Sequence, residues 1–184
     1  MRDGATFAHL TRRLRDHLAQ QHRYEHSVRV ARCADLLAQR HGLDARKARL
    51  AGLLHDLARL YSPQRLIAEC VARALPVSSR EREHPTLLHA KVGAALARER
   101  FGVDDPEVLS AIEKHTVGAA EMSPLDCAVY LADSLEPHRT FEERAELWHL
   151  ALEDLGLATR RTMELSARHH ARKRAAAEAQ ASAS

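Results

Sequence analysis

Apolar residues return along this chain at intervals of three and four, the spacing that gathers them on one face of an α-helix. Phe7, Leu10, Leu14 and Leu18 keep that interval in a first segment, and Val28, Val30, Cys33 and Leu37 line a second that stops near Gly42. A third helix is expected over roughly Ala45 to Leu60. Ser62-Pro63 has the cap-then-proline form of a helix start, and Pro76-Val77-Ser78-Ser79 is the clearest internal loop. Pro85 opens a helix to about Phe101, which Gly102 closes. Asp104-Asp105-Pro106 starts another that reaches His115, and Ser123-Pro124 starts one that reaches about Leu135. Two C-terminal helices, near 140–155 and 158–175, complete the set. No window of strand length alternates β-branched residues with polar ones, so the pattern predicts an all-α, single-domain helical bundle over residues 1–174. The Ala/Ser/Gln-rich stretch 175–184 is expected to be frayed or disordered.

Composition narrows this picture without changing it. A chain of 184 residues, 45% hydrophobic and 29% charged, fills one domain with a full core. The net charge of +3 is too small to demand a polyanionic partner such as nucleic acid. Cys33, Cys70 and Cys127 are odd in number, far apart and without a CxxC pair, which argues for reduced thiols and against a disulfide framework or a thiolate zinc site. The N-terminal residues hold no apolar signal region and no run is long enough to span a membrane, so a cytoplasmic protein is expected. Thirteen histidines say more than the charge does.

The chemistry gathers around Leu53-Leu54-His55-Asp56-Leu57-Ala58-Arg59, where two metal-ligating residue types stand side by side in an apolar run. A buried imidazole and carboxylate must be hydrogen-bonded, paired or metallated, since burial without a partner costs several kcal/mol. A His-Asp dipeptide alone is more often structural than ligating. Further ligand types stand at His26, His89, His115 and Asp133, each on a different expected helix, and sequence-distant helices of a bundle can converge their side chains on one point. Neighbours on a helix point about 100° apart, so His55 and Asp56 serve two ions only if one of them bridges, most simply the carboxylate. An all-N/O ligand set favours Fe or Mn over Zn and Mg.

The order of motifs is specific. "RYEHSVRVA" at Arg23 to Ala31, "LLHDLARL" at Leu53 to Leu60, "LLHAKVGA" at Leu87 to Ala94, "AIEKHTVG" at Ala111 to Gly118 and "YLADSLEPHRTF" at Tyr130 to Phe141 span most of the domain. In them the chain resembles the HD superfamily of metal-dependent phosphohydrolases, and within it the bacterial YqeK-type symmetrical diadenosine tetraphosphate hydrolases. The resemblance implies an HD-type helical bundle with a dinuclear centre, in family members an iron centre, with Mn as the other candidate. His26, His55, Asp56 and Asp133 would hold one ion, and the bridging Asp56 with His89 and His115 the other. Two cations there would acidify a bridging water, whose hydroxide attacks a phosphorus, and would neutralise phosphate oxygens as a tetraphosphate bridge is split into two ADP. Asp56, Lys91 and Arg139 are the expected catalytic residues. Arg139 is also expected to bind substrate, together with Arg23, Arg59 and Lys114. The partner implied is a dinucleoside polyphosphate, with no membrane and no nucleic acid, and a homodimer is left open. Two alternatives stand beside it: another HD phosphohydrolase acting on nucleotides, alarmones or cyclic dinucleotides, and a metal-free HD-like binding module.

Bland roles compete at several positions. Glu136 is expected to form a salt bridge with Arg139 three residues on. Lys91, two residues beyond His89, falls on another side of its helix. His84 precedes Pro85 and is expected to be extended, and the remaining histidines match no motif. After "HTVG" comes Ala119-Ala120-Glu121, where the resemblance leads one to expect a polar or basic residue. The basic run at Ala167 to Arg174 lacks interleaved aromatics and reads as a solvated helical face.

Overall fold

The structure is a computed structural model that describes residues 3–182. Ten α-helices and one 3-10 turn follow one another among these residues: α1 (Asp3–Leu18), α2 (Gln21–Arg40), α3 (Ala45–Leu54), α4 (Pro63–Ala72), α5 (Ser79–Glu83), the 3-10 turn Pro85–Leu87, α6 (Leu88–Phe101), α7 (Pro106–Lys114), α8 (Pro124–Leu135), α9 (Arg144–Glu153) and α10 (Leu155–Ser182). No strand occurs among them, so the chain is all-α as its periodicity predicts. None of these helices is long and apolar enough to cross a membrane.

The starts and stops obey the local chemistry. Asp44, Ser62, Asp105 and Ser123 each cap a helix, their side-chain oxygens accepting backbone N–H groups of the first turn, and Pro63, Pro106 and Pro124 follow at the first helical position. Gly102 closes α6 at φ 68°, in the left-handed region where a side chain is strained.

Four boundaries depart from expectation. The third helix ends at Leu54 rather than Leu60, and the chain tightens into i→i+3 bonds: Leu57 N–H to the Leu54 carbonyl, Arg59 to Asp56, Tyr61 to Ala58. The loop around Pro76 already contains the start of α5, because Ser78 and Glu81 form a reciprocal capping box. Pro85 opens only a 3-10 turn, and α6 proper begins at Leu88. The last helix starts at Leu155 and continues to Ser182, through most of the stretch expected to lack order; residues 183 and 184 lie outside the described residues. Alanine and glutamine are good helix formers, which accounts for the continuation.

The core lies between α2, α3, α6, α7 and α8, where Leu53, Leu54, Leu88, Leu96, Ile112 and Leu131 are fully buried. Among the described residues α2 packs most extensively on α3, and small buried residues line both helices: Ala31 and Ala34 on α2, Ala48, Ala51 and Gly52 on α3. Cys33, Cys70 and Cys127 are buried free thiols. At the surface Lys47 pairs with Asp105 and Glu107, joining α3 to the start of α7, but an exposed pair of this kind contributes little.

A Cβ on Gly52 would stand 2.9 Å from the Ala31 Cα and 3.1 Å from the Val30 carbonyl oxygen, both backbone atoms that cannot step aside. Gly52→Ala gains about 1 kcal/mol of helix propensity. It also forces α2 and α3 apart, at a typical overpacking cost of about 1–3 kcal/mol. The expected result in urea unfolding is a net loss of stability, and a more stable variant would show that the two helices can separate freely.

Candidate metal centre

Five segments bring six ligand-type side chains to one place. His26 sits inside α2, His55 and Asp56 directly after α3, His89 at the second position of α6, His115 just past the end of α7, and Asp133 in the last turn of α8. His26, His55, Asp56, His89 and His115 are buried, and Asp133 is partly so.

Three imidazoles are oriented by their own local backbone. Nδ1 of His55 donates to the Gly52 carbonyl at 2.8 Å, that of His89 to Thr86 at 2.5 Å and that of His115 to Ile112 at 2.7 Å, each three residues back. A carbonyl can only accept, so Nδ1 carries a proton, and in the neutral ring Nε2 is then left with the lone pair. The fourth imidazole, His26, turns its Nδ1 to the carboxylate of Glu136 at 3.3 Å. All four Nε2 atoms face the centre, their lone pairs turned into it whenever the rings are neutral.

Across the centre they meet other acceptors. Asp56 turns Oδ1 to Nε2 of His89 at 3.4 Å and of His115 at 3.7 Å, and Oδ2 to Nε2 of His55 at 3.6 Å. Asp133 Oδ1 lies 3.0 Å from Nε2 of His26 and 3.7 Å from that of His55. The Nε2 atoms of His89 and His115 approach to 3.2 Å, and Nε2 of His55 is buried with no hydrogen-bond partner. Lone pairs turned on lone pairs in a buried site are stable only with cations or protons between them.

The atoms fall into three groups whose ligand atoms lie within 4.8 Å of one another: His26, His55 and Asp56; His55, His115 and Asp133; and Asp56, His89 and His115. Asp56 is in two of them, one oxygen toward each side, as a bridging carboxylate would be. A set of imidazoles and carboxylates without thiolate suits divalent transition ions.

The electrostatics push these groups in different directions. Burial pushes the His55 imidazole down to about 4, so that it is neutral near pH 7. Burial opposes ionisation of Asp56, but His55, His115 and His89 outweigh it and hold the carboxyl well below its usual value. Asp133 is likewise held low against burial, by His26, the neighbouring imidazoles and Arg139. His115 moves the other way: burial lowers it, but its contact with Asp56 and the charge of Asp133 raise it overall.

The cations of the rim divide. Arg139 turns back across Pro137, donating from Nη2 to Asp133 Oδ1 at 2.6 Å and from Nε to the Asp133 carbonyl at 2.9 Å, and stays exposed at the mouth. Arg23 lies 3.6 Å from Asp56 Oδ2. Arg59 is exposed beyond the His-Asp pair. Two expected residues do not join them. Lys91 is tied to the Pro76 carbonyl at 2.6 Å and to Glu81 at 2.9 Å, because its side of α6 faces the loop before α5. Lys114 pairs with the buried Asp126 at 2.8 Å, on the wall of a separate cleft of about 630 Å³. The expected Glu136–Arg139 bridge gives way to another: Glu136 accepts from Arg29 Nε at 2.7 Å, and burial against ionisation is outweighed by that contact. His84 is exposed, and its backbone at φ −128° and ψ 70° leaves the helical region before Pro85 without reaching the extended conformation expected there.

Three participants escape the sequence reading. Thr116 Oγ1 stands 3.2 Å from Nε2 of His89 and 3.1 Å from Nε2 of His115. Arg29 and Glu136 form the support behind His26. Thr116 was signalled only by its place after a candidate ligand, and Arg29 by helical spacing from His26.

This chain belongs to the HD domain family, whose profile matches residues 23–138. Among its relatives is a Bacillus subtilis protein named bis(5'-nucleosyl)-tetraphosphatase, symmetrical, 38% identical over 138 residues that cover 75% of this chain and 74% of the relative. A Halalkalibacterium halodurans protein of the same name is 37% identical over 70% of this chain and 67% of its own. A Mycoplasma genitalium protein named as a probable nicotinate-nucleotide adenylyltransferase/Ap4A hydrolase is 37% identical, with 66% of this chain covering 34% of that one. The crystal structure of a predicted HD superfamily hydrolase involved in NAD metabolism, from Clostridium acetobutylicum, superposes with a TM-score of 0.86 at 35% identity, covering 91% of this chain and 88% of that one.

If Asp56 spans two ions, its removal should release both. Metal analysis of purified Asp56→Ala is expected to find neither, against up to two per chain in the unmodified protein. Two ions retained with full activity would rule out the bridge.

Proposed function

We propose that this protein is a metal-dependent hydrolase that splits diadenosine tetraphosphate symmetrically into two ADP. The observation that carries the reading is the set of four imidazole Nε2 atoms gathered on Asp56 and Asp133, a ligand set that could hold metal ions. Relatives named for this activity, at 34–38% identity, support the substrate. We take the ions to be iron, with manganese as a substitute, held by His26, His55, Asp56 and Asp133 on one side and by Asp56, His89 and His115 on the other. Bound there, they supply an acidified water as nucleophile and neutralise charge on the phosphate oxygens.

The chain's own residues do the rest. Asp56 fixes the spacing of the two positions by turning one oxygen to each. Arg139 and Arg23 stand at the mouth, where a polyphosphate must lie to reach the centre, and a guanidinium fork matches two phosphate oxygens. Lys91 and Lys114 are held away from the centre, on Glu81 and Asp126. The departing ADP is a weak base, so these cations can stabilise it without a dedicated proton donor.

Attack near the middle of the tetraphosphate predicts ADP as the sole nucleotide product, read by anion-exchange chromatography of a completed reaction. ATP together with AMP would place attack at an outer phosphate and favour another HD phosphohydrolase activity.

Arg139→Lys keeps the charge and loses the fork. Turnover is expected to fall by about one to three powers of ten with metal content unchanged. A fall that tracks lost metal would instead make Arg139 the support of Asp133, and unchanged turnover would remove it from the site.

A further inference from the structure

His26 differs from the other three imidazoles. His55 and His115 follow a helix end, where carbonyl groups are left without an intrahelical partner and can accept from a ring three residues on, and His89 follows a 3-10 turn whose Thr86 carbonyl it reaches in the same way. His26 lies inside α2, where the backbone carbonyls are engaged in the helix ladder, so its Nδ1 must find an acceptor on another element. That acceptor is Glu136, 110 residues away at the end of α8.

Glu136 is only 2% exposed and holds three donors: Arg29 Nε at 2.7 Å and the His138 backbone N–H at 3.0 Å on Oε2, and His26 Nδ1 at 3.3 Å on Oε1. Arg29 is three residues beyond His26 and shares its face of α2, so one helix carries both the ligand and the cation that aims its support. A carboxylate behind a metal-ligating imidazole fixes the ring and raises the basicity of the other nitrogen more than a carbonyl does. The other three imidazoles are independent of this arrangement, since their rings are held by their own backbone.

We propose that Glu136, aimed by Arg29, is the positioning residue of His26 and sets the affinity of the one metal position that His26 reaches, leaving the other to its local backbone supports. The inference rests on the dinuclear reading above. It makes the turn that presents Arg139 part of the support of the metal site, because Glu136 also holds the His138 N–H one residue before that arginine.

The test is a titration of the metal-stripped full chain with Mn(II), the free ion counted by its paramagnetic resonance. The unmodified protein is expected to bind two ions. Glu136→Gln, nearly the same in shape but uncharged, should weaken one of them by about 10–100-fold and leave the other in place. Arg29→Met should weaken the same ion, and Arg29→Lys, which keeps a cation beside Glu136, should weaken it less. If Glu136→Gln does not fold, the Arg29 pair carries the same comparison. Two ions bound with unaltered affinities would overturn the proposal. Equal loosening of both would overturn it too, making Glu136 a general tie between α2 and α8. An unmodified chain that binds fewer than two ions would overturn the dinuclear reading itself, and this inference with it.

Discussion

The centre depends on a commitment made by each imidazole before any ion arrives: one nitrogen is spent on a fixed acceptor. Because that acceptor takes a proton and cannot give one, the tautomer is decided by the fold, and the second nitrogen is left as a lone pair aimed inward. His55, His89 and His115 do this with the carbonyl three residues back. A flexible histidine would lose rotamer and tautomer freedom on binding; here the folding of α3, α6 and α7 has already removed it.

The backbone cost of that arrangement falls where the helices end. The run through the His-Asp pair is apolar and helix-compatible, so sequence periodicity extends the third helix to Leu60. The structure ends it at Leu54, because the Gly52 carbonyl serves the His55 ring and the following residues tighten to i→i+3 bonds. Side-chain competition for backbone acceptors is invisible to a pattern of polar and apolar positions. The Ser-Pro and Asp-Pro starts were legible because capping is a local matter, settled within four residues.

The same division governs the site. His26, His55, Asp56, His89, His115 and Asp133 could be named because each stands in a motif, and the structure gathers them. What lies behind them could not. Glu136 has a tempting partner three residues on in Arg139, and chooses Arg29, 107 residues away, because burial at the end of α8 sets it against α2. Lys91 and Lys114 sit beside ligands in sequence but spend their charge on Glu81 and Asp126, since adjacent helical positions face different neighbours.

The long reach between His26 and Glu136 has a consequence for how the protein comes into being. Residues from α2 and α8 complete one cluster, so in a growing chain His26 and Asp133 lack their surroundings until residues near 136 have left the ribosome and packed back on the second helix. The candidate site is therefore completed late in synthesis, by contacts between distant parts of the sequence rather than by near neighbours.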